Sequence, residues 1–415
     1  MQSHVTAHTV KARKSKPRRK LRAILWTLAL LAITALVVRV FVADVYPVSS
    51  SSMRPTIFGG SAAVGGELET EWVLVTYDRS PPERYELLVL RPENGGEPLV
   101  KRALGLPGEV LRLSHGDLYI DGNPLGSIAS GGPLIPLWDT LYQPWSEWWS
   151  SELGSGKAWH DDNGALVLNA LGSGVVSPRL FAHKQARDGY LSPEGEREPG
   201  LQPVNDLVLE LDFTLEQLAE DGQVMFVVTL TEGGDAFSLY LRVNDSNSSG
   251  FEALLLRSTL AVFESGTGVL DDAGELLASA PLSLSRKHTL SFSNIDNELR
   301  FDLDGKTVIS ARYERNRPLD RMGVASEHVA PRVAMFGSGL QLRFDRLRLL
   351  RDLYWFPMGS FGVDQELVLG PDEVFVLGDN SRASTDSRSF GPLSLSRIGG
   401  RVKSVLWPFS RRRDL

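Results

Sequence analysis

The chain has 415 residues, which is enough for two or three ordinary domains and a sizeable buried core. Hydrophobic residues make up 42% and charged residues 23%, values that exclude wholesale disorder, and the net charge of −7 disfavours a basic nucleic-acid binder. There is no cysteine, so disulfide frameworks, thiolate zinc sites and cysteine nucleophiles are excluded.

The first element combines a basic tail, residues 1–22, with an apolar segment, residues 23–43. The tail holds eight cations and no acid, and the apolar segment would extend about 32 Å as a helix, enough for a ~30 Å hydrocarbon core. We therefore predict a single-pass anchor in the lipid of the plasma membrane, with a cytoplasmic N-terminus and an exported body. A cleaved secretory signal peptide and a basic nucleic-acid tail are the other interpretations.

Short strand-like runs follow, in two sets separated by a block of different composition. The runs of the outer sets are residues 72–77, 87–90, 110–113, 118–120, 366–369, 374–377 and 401–407. Asp121-Gly122 and Asp304-Gly305 are hairpin turn signals. The middle block, residues 134–351, contains about ten alternating runs and predicts an all-β sandwich or jelly roll. Five of the nine tryptophans lie between Trp138 and Trp159, which favours either a membrane-interface surface or a packed junction between domains.

Three clusters outside the middle block could carry chemistry. The first, residues 49–56, is a serine run that is also typical of a surface loop. The second, residues 98–109, places Lys101 among apolar neighbours, where a lysine can lose its proton near neutral pH. The third, residues 378–391, has the Gly, Asn and Asp content of a structured loop, but it lacks the Glu that an EF-hand requires.

Taken together and in this order, the clusters resemble the type I signal peptidase (leader peptidase) family of Ser/Lys serine proteases. The family motif Ser-x-Ser-Met-x-Pro-Thr is matched by residues 50–56, and Lys-Arg followed by Gly-Leu-Pro-Gly-acid is matched by residues 101–109. The motif Gly-Asp-Asn-x-x-x-Ser-x-Asp-Ser-Arg-x-x-Gly is matched by residues 378–391. The resemblance covers residues from about 20 to 130 and from 352 to 410.

The resemblance implies that Ser52 is the nucleophile and Lys101 the general base. A serine hydroxyl needs a neighbouring base to take its proton, and a lysine can do this only if burial lowers its pKa to roughly 7–8. The oxyanion hole implied by the family consists of the Ser52 backbone N–H and the Ser50 hydroxyl. Ser384 is expected to donate or accept a hydrogen bond that aims the Lys101 amine.

The remaining family residues are expected to support the site. Asp386 and Arg388 are expected to form a buried ion pair, and Asp379 and Asn380 are interpreted as turn formers. The implied substrates are preproteins whose signal peptides end in a small-x-small motif and bind as an added strand. We expect no cofactor and no metal in this site.

The domain organisation implied is one enzyme interrupted by one insert, with a mainly β fold. The catalytic domain would comprise residues 44–133 and 352–410 in a signal-peptidase β-fold, and the insert residues 134–351. The ends of the insert resemble a concanavalin A-like, laminin-G-type jelly roll, which implies that it binds a glycan or an envelope protein; a spacer role is equally open. His160-Asp161-Asp162 is a candidate metal cluster within the insert.

Two segments depart from the family pattern. Residues 59–71 begin with Gly59-Gly60 where the family has Gly-Asp, and continue with a detour before the next strand. Arg84-Tyr85-Glu86 stands where the family has Arg-Gly-Asp. Both segments are expected near the substrate cleft, so they bear on specificity and leave the catalytic groups unchanged.

Two other functions are compatible with parts of the sequence. The peptidase frame could serve only as a scaffold for a binding insert, but the intact Ser52, Lys101 and Ser384 set disfavours this. A related Ser/Lys self-cleaving repressor is disfavoured by the apolar segment and by the lack of a helix-turn-helix pattern.

Overall fold

The structure is a computed structural model. The residues that it describes are 21–22, 24–31, 33–34, 42–59, 70–92, 95–125, 132–151, 158–172, 176–243, 250–265, 274–314 and 333–415. Most of the predicted basic tail and the detour of residues 60–69 lie outside this set.

The predicted membrane segment is only partly described. Residues 24–31, 33 and 34 are helical and exposed, whereas residues 23, 32 and 35–41 lie outside the described set. Among the described residues, no helix has the length and apolar character needed to cross a membrane.

The described chain is mainly β, which confirms this part of the expected fold class. The first seven strands are β1 (Ala43–Pro47), β2 (Trp72–Thr76), β3 (Leu87–Leu90), β4 (Leu99–Gly105), β5 (Val110–Ser114), β6 (Asp117–Ile120) and β7 (Asn123–Pro124). The strands between residues 134 and 351 are β8 (Ile135–Asp139), β9 (Trp149–Ser151), β10 (Trp159–Asp162), β11 (Ala165–Asn169), β12 (Leu180–Ala182), β13 (Tyr190–Leu191), β14 (Arg197–Glu198), β15 (Leu207–Leu218), β16 (Met225–Glu232), β17 (Asp235–Val243), β18 (Phe251–Thr259), β19 (Glu275–Leu282), β20 (Lys287–Ile295), β21 (Glu298–Leu303), β22 (Lys306–Arg312), β23 (Val333–Ser338) and β24 (Leu340–Arg351). The last strands are β25 (Leu367–Val368), β26 (Glu373–Leu377), β27 (Leu393–Ser394), β28 (Ile398–Trp407) and β29 (Arg413–Asp414).

Helical turns are short. Apart from the helical residues near the N-terminus, the α-helices of the described residues are α1 (Leu260–Ser265) and α2 (Ser387–Phe390). The 3-10 turns of the same residues are Trp145–Glu147, Ser381–Ala383, Leu395–Arg397 and Phe409–Arg411.

One sheet is built from both ends of the chain. Its order is β1-β2-β28-β3-β4-β26-β27, with β29 paired to β28, so the strands before residue 134 alternate with those after residue 352. A smaller sheet, β25-β5-β6-β7, joins the same two parts of the chain. In the β6–β7 hairpin, Asp121 and Gly122 take positive φ angles of 49° and 80°, as the Asp-Gly signal predicts.

The middle block forms a sandwich of two sheets. Their orders are β10-β11-β24-β15-β20-β21-β22, with β8 paired to β24, and β19-β18-β17-β16-β23-β12-β9. One hydrophobic cluster takes side chains from both sheets, including Leu209 and Phe292 on one side and Val228 and Leu239 on the other. The apolar faces of the alternating strands therefore meet in one core, as a sandwich requires.

The tryptophan-rich stretch lies inside this core. Trp138, Trp148, Trp149 and Trp159 are at most 4% exposed, and the Trp138 ring centroid lies 6.5 Å from that of Trp148 and 6.1 Å from that of Trp149. The expectation of a membrane-interface surface is therefore wrong for these four residues, because their rings pack in the hydrophobic core of the sandwich. The alternative of a packed junction between domains stays a prediction.

The segment Arg84-Tyr85-Glu86 is incorporated into the first sheet without the family's glycine. Tyr85 takes a φ of 66°, the left-handed conformation that a glycine adopts easily. Its side chain is buried in the cluster that includes Leu104 and Phe375, and Glu86 binds Arg401 at 2.8 Å. Burial of the ring and the ion pair beside it offset the backbone strain.

Candidate active site

The three sequence clusters meet at one end of the first sheet. Strand β4 carries Lys101, and β26 pairs with β4 and ends at Leu377, directly before the third cluster. The first cluster lies in the loop between β1 and β2. Asn380 ties this loop to the third cluster, because its backbone N–H donates to the Ser52 carbonyl at 3.0 Å and its amide Nδ2 to the Ser51 carbonyl at 3.1 Å.

We call residues 48–59, which carry the expected nucleophile Ser52, the nucleophile loop. This loop is anchored on its apolar side. Met53 and Ile57 are fully buried with Val75 and Val89 from the neighbouring strands. The Ile57 N–H donates to the Met53 carbonyl at 2.9 Å, which closes a turn just after Ser52. The buried methionine therefore fixes the position of the serine that precedes it.

Ser52 and Lys101 are in direct contact. Lys101 Nζ lies 2.7 Å from Ser52 Oγ and 2.9 Å from the Val100 carbonyl, and Ser50 Oγ lies 3.1 Å from Ser52 Oγ. Ser52 is 5% exposed and Lys101 2% exposed. A hydroxyl and an amine at this separation can exchange a proton directly.

Burial changes the acid–base behaviour of Lys101. Loss of hydration lowers its pKa from 10.5 to about 8, and the carboxylates of Asp386 and Asp379 act in the opposite direction. A substantial fraction of the amine is therefore neutral at pH 7 to 8, and a neutral amine can accept the Ser52 proton.

Ser384 lies beside the loop that carries Ser52, but the expected bond to Lys101 is not formed in this structure. Its Oγ is buried and has no hydrogen-bond partner among the described residues. A Cβ at Gly378 would lie 2.2 Å from Ser384 Oγ and 2.7 Å from the Ser52 carbonyl oxygen. The absence of a side chain at Gly378 is thus what allows Ser384 and the nucleophile loop to approach each other.

Asp386 and Arg388 form a fully buried pair, as the sequence predicts. Arg388 Nε and Nη2 each lie 2.8 Å from an Asp386 oxygen, and Asp386 also accepts from the Gly378 N–H at 3.0 Å. Arg388 donates further to the Phe356 carbonyl and to Ser381 Oγ, each at 2.7 Å. The pair therefore holds the third cluster against the end of β26.

A second buried ion pair was not identified from the sequence. Arg102 donates to Asp379 at 2.8 and 2.5 Å and to the Tyr85 carbonyl at 2.8 Å, and the Thr56 hydroxyl donates to Asp379 as well. The interpretation of Asp379 as a turn former is therefore incomplete. The missed signal is the strand alternation in β4, which directs Lys101 and Arg102 to opposite faces.

Gly59, which keeps the glycine of the family's Gly-Asp, has a steric requirement for glycine, whereas the departure itself, Gly60 and the detour after it, lies outside the described residues. A Cβ at Gly59 would lie 2.4 Å from the Ser50 carbonyl oxygen and 2.5 Å from that of Val48. The loop is also closed by Glu71, whose carboxylate accepts from the Phe58 N–H at 2.9 Å and from Arg413 at 2.8 Å.

A cleft of about 760 Å³ is lined by residues of β1, β2, β3 and β28, among them Tyr46, Val75, Val89 and Ile398. Val75 and Val89 belong to the same hydrophobic cluster as Met53. Neither Ser52 nor Lys101 lines this cleft, so it is separate from the space around their contact.

Two clusters of acidic residues bear on metal binding. In the predicted His160-Asp161-Asp162 cluster, Asp161 accepts from the Trp145 ring N–H at 3.0 Å and Asp162 binds Arg343 at 2.5 Å, so both carboxylates already have partners. Elsewhere, oxygens of Asp117, Asp206 and Asp296 lie within 4.8 Å of one another, a spacing that could hold a cation.

Solved structures similar to this chain are β-rich. They include the catalytic domain of a laminarinase from Thermotoga maritima (11% identity, TM-score 0.34, 53% of this chain and 98% of that one) and a carbohydrate-binding module from Bacillus subtilis (11% identity, TM-score 0.29, 48% and 94%). Similarities of this extent define neither the fold nor a ligand of this chain.

Sequence comparison identifies relatives of the two outer segments. The family described as "Signal peptidase, peptidase S26" matches residues 21–134 and 356–407. A probable signal peptidase I-2 of Synechocystis sp. is 30% identical over 30% of this chain and 57% of its own length, and a signal peptidase I of Leptolyngbya laminosa is 33% identical over 24% and 49%. The chain thus spans about half the length of the curated relatives it matches. The resemblance to the signal peptidase family is thereby confirmed for the two segments that flank the middle block.

Proposed function

We propose that the chain is a serine endopeptidase that cleaves signal peptides from preproteins. The observation that carries this proposal is the 2.7 Å contact between Lys101 Nζ and Ser52 Oγ, with both side chains buried. The similarity of the flanking segments to signal peptidases supports the same assignment.

In the proposed mechanism Lys101 is the general base and Ser52 the nucleophile. The neutral amine takes the hydroxyl proton as Ser52 Oγ attacks the scissile carbonyl, and the resulting ammonium then gives that proton to the leaving amine. The Ser52 backbone N–H and the Ser50 hydroxyl would stabilise the oxyanion. A water molecule, activated by the same amine, would then hydrolyse the acyl-enzyme.

The proposed substrates have small side chains at the first and third positions before the cleaved bond. This specificity rests on the family resemblance. The substrate would bind next to Ser52 in an extended conformation, with main-chain hydrogen bonds supplying affinity and shallow pockets limiting side-chain size.

The proposed location is the plasma membrane, with residues 23–43 as a single anchor and residues 1–22 in the cytoplasm. Residues 44–133 and 352–410 would form the exported catalytic domain, with membrane lipid next to it. For the insert, residues 134–351, binding of a glycan or an envelope protein stays a prediction, and no nucleic-acid partner is proposed.

The test is cleavage of a purified preprotein by the full chain in detergent. We expect wild-type protein to release the signal peptide, and Ser52→Ala and Lys101→Ala to lose at least 1,000-fold in kcat/KM, since the nucleophile and its base act as a unit. Ser50→Ala should lose roughly 10- to 100-fold through the oxyanion hole.

Matched controls separate the site from general effects of substitution. Ser49→Ala removes an exposed serine of the same run that lies 3.2 Å from Glu97, and Lys403→Ala removes a half-exposed lysine. Both variants should cleave as wild type does. Equal cleavage by wild type, Ser52→Ala and Lys101→Ala would contradict the proposed function.

A further inference from the structure

A small hairpin of the insert lies against the catalytic loops. The junction hairpin, residues 188–200, contains β13 and β14 and is closed by Gly189 and Gly200. A Cβ at Gly200 would lie 2.2 Å from the Gly189 nitrogen, so the two backbone segments approach more closely than side chains would allow. The hairpin belongs to the middle block by sequence, and it contacts both this block and the outer segments. Within the block, Arg351 donates to the Gly189 carbonyl at 3.0 Å and the Arg197 guanidinium lies over the Trp148 ring at 4.5 Å.

Its first contact is with the third cluster. Asp188 Oδ2 lies 3.2 Å from Arg382 Nε, and Arg382 follows Ser381, which receives a hydrogen bond from Arg388. Asp188 Oδ1 faces the other way and accepts the backbone N–H groups of residues 201 and 202 at 2.6 and 2.8 Å. One carboxylate therefore closes the hairpin and ties it to the loop that carries Ser384.

Its second contact is with the nucleophile loop. The Tyr190 ring meets the Phe58 ring edge-on, with centroids 5.9 Å apart and an interplanar angle of 72°. Burial raises the pKa of Tyr190, and a hydrogen bond with Arg54 opposes the rise. The Arg54 N–H in turn donates to the Ser51 carbonyl at 3.2 Å, so Tyr190 touches the turn that contains Ser52.

A third contact joins the hairpin to the C-terminal segment under the same loop. Glu194 Oε1 lies 2.6 Å from Arg411 Nε, and the Arg411 guanidinium lies over the Phe58 ring at 5.9 Å. Between these contacts a cavity of about 210 Å³ separates the hairpin from the loops, with Arg54, Asp188 and Asn380 among its walls. The hairpin therefore acts through a few discrete contacts.

We propose that the junction hairpin is a positioning element of the peptidase, in which Asp188 and Tyr190 hold the third cluster and the nucleophile loop in register. The inference rests on the proposed function of the Ser52–Lys101 site. It makes the insert a part of the enzyme and assigns positioning roles to residues outside the family motifs. Because Asp188 and Tyr190 contact the two loops that carry Ser384 and Ser52, their loss should lower kcat.

The first test is a double-mutant cycle on the Asp188–Arg382 pair in the full chain. Asp188→Asn keeps an acceptor for the backbone N–H groups and removes the charge that faces Arg382. We expect Asp188→Asn and Arg382→Gln each to lower kcat about three-fold, and the double variant to lose no more than either single variant. Arg382→Lys keeps the positive charge and should retain the wild-type kcat. Additive losses, or no loss in either single variant, would overturn the inference.

The matched control is a distant ion pair of the same insert. Glu252 lies 3.3 Å from Arg242 on strands β18 and β17, a separation close to that of Asp188 and Arg382. Glu252→Gln should leave kcat unchanged. If Glu252→Gln lowered kcat as much as Asp188→Asn does, removal of any charge in the insert would explain the effect. That result would overturn the inference.

The second test separates the ring of Tyr190 from its hydroxyl. Tyr190→Phe keeps the edge contact with Phe58 and loses the bond with Arg54, so we expect about a three-fold loss of kcat. Tyr190→Ala also loses the ring and should reduce kcat at least ten-fold. Both variants at wild-type kcat would contradict the positioning role.

Hydrogen exchange gives a readout that needs no cleavage. In Asp188→Asn and Tyr190→Phe, amides of residues 51–58 and 379–388 should exchange faster than in wild type, with residues 207–243 of the sandwich unchanged. Unchanged exchange in the two loops would overturn the inference even if the chain cleaves no preprotein. Faster exchange without Ser52-dependent cleavage would support the positioning role and contradict the proposed function.

Discussion

At the scale of single residues, two adjacent cations of β4 have opposite electrostatic environments. Arg102 is buried with a carboxylate, Asp379, and its charge is matched. Lys101 is equally buried, but in the described part of the chain no carboxylate lies within 4.0 Å of its amine, which contacts a hydroxyl and a carbonyl instead. The unmatched amine is the one whose pKa falls, and it is the one that faces Ser52.

The pKa of Lys101 predicts the pH dependence of the proposed reaction. The neutral amine is the active form, so kcat/KM should rise about ten-fold per pH unit below pH 8 and level off above it. A pH series of preprotein cleavage from pH 6 to 9.5 measures this rising part of the profile, the acid limb. A rate that is constant across this range would contradict the role of Lys101 as a base with a pKa of about 8.

The control for this profile is a lysine outside the site. Lys403 is half-exposed and lies 3.4 Å from Glu86, so Lys403→Ala should leave the position of the acid limb unchanged. If the acid limb of Lys403→Ala moved along the pH axis, the overall charge of the protein, and not the buried Lys101, would determine the pH dependence.

The sequence was sufficient to predict the residues whose chemistry is carried by a motif. The motifs predicted that Ser52 and Lys101 share one site and that Asp386 pairs with Arg388. The sequence did not predict the Arg102–Asp379 pair, because an Arg after a Lys and an Asp in a Gly-Asp-Asn turn both have ordinary local explanations. Only the pairing of β4 with β26 brings these two side chains together.

At the scale of elements, the loop after β26 is organised by one carboxylate. Asp386 is the N-cap of α2, accepting the Arg388 N–H at 3.3 Å, and it also accepts the Gly378 N–H and the Arg388 guanidinium. The Gly378 N–H, the Arg388 N–H and the Arg388 guanidinium therefore all bind one carboxylate that has no exposed surface. Such convergence fixes the loop more firmly than a single ion pair could.

Asp386→Asn should destabilise the catalytic part by about 3 kcal/mol, since it leaves Arg388 buried without its counter-charge. Chemical denaturation of the full chain, followed through loss of cleavage, measures the change. In the activity that remains, the acid limb should move to lower pH, because the Asp386 carboxylate raises the pKa of Lys101.

A matched substitution tests whether burial is the cause. Asp345 binds Lys287 at 2.9 Å on the surface of the insert, and Asp345→Asn should change stability by less than about 0.5 kcal/mol. Equal destabilisation by the two substitutions would contradict the importance of the buried pair.

Elements with strong local signals were predicted well, and those that depend on distant partners were not. The Asp-Gly turns take positive φ at Asp121 and Asp304, as expected. The tryptophan content suggested a membrane interface, whereas Trp138, Trp148, Trp149 and Trp159 pack in the hydrophobic core of the sandwich. The junction hairpin has only two residues in each strand, too few for a periodic signal.

At the scale of the whole molecule, the middle block, residues 134–351, begins and ends at one place. Strand β8, at its start, pairs with β24, at its end, from Asp139 opposite Arg348 to Ile135 opposite Arg351. The first and last strands of this block are therefore neighbours in one sheet. The strands that flank the block, β7 and β25, belong to the same small sheet. An insertion with adjacent ends leaves the pairing of the host strands intact.

The predicted orientation of the whole chain can be tested with single cysteines, since the chain has none of its own. Ala7→Cys places a thiol in the predicted cytoplasmic tail, and Lys287→Cys places one on the insert, where the native side chain is 67% exposed. An impermeant maleimide should label Lys287→Cys in cells with an intact plasma membrane and Ala7→Cys only after that membrane is broken. Equal labelling of the two before lysis would contradict the single-pass topology, and labelling of Ala7→Cys alone would reverse it, because the basic tail predicts a cytoplasmic N-terminus.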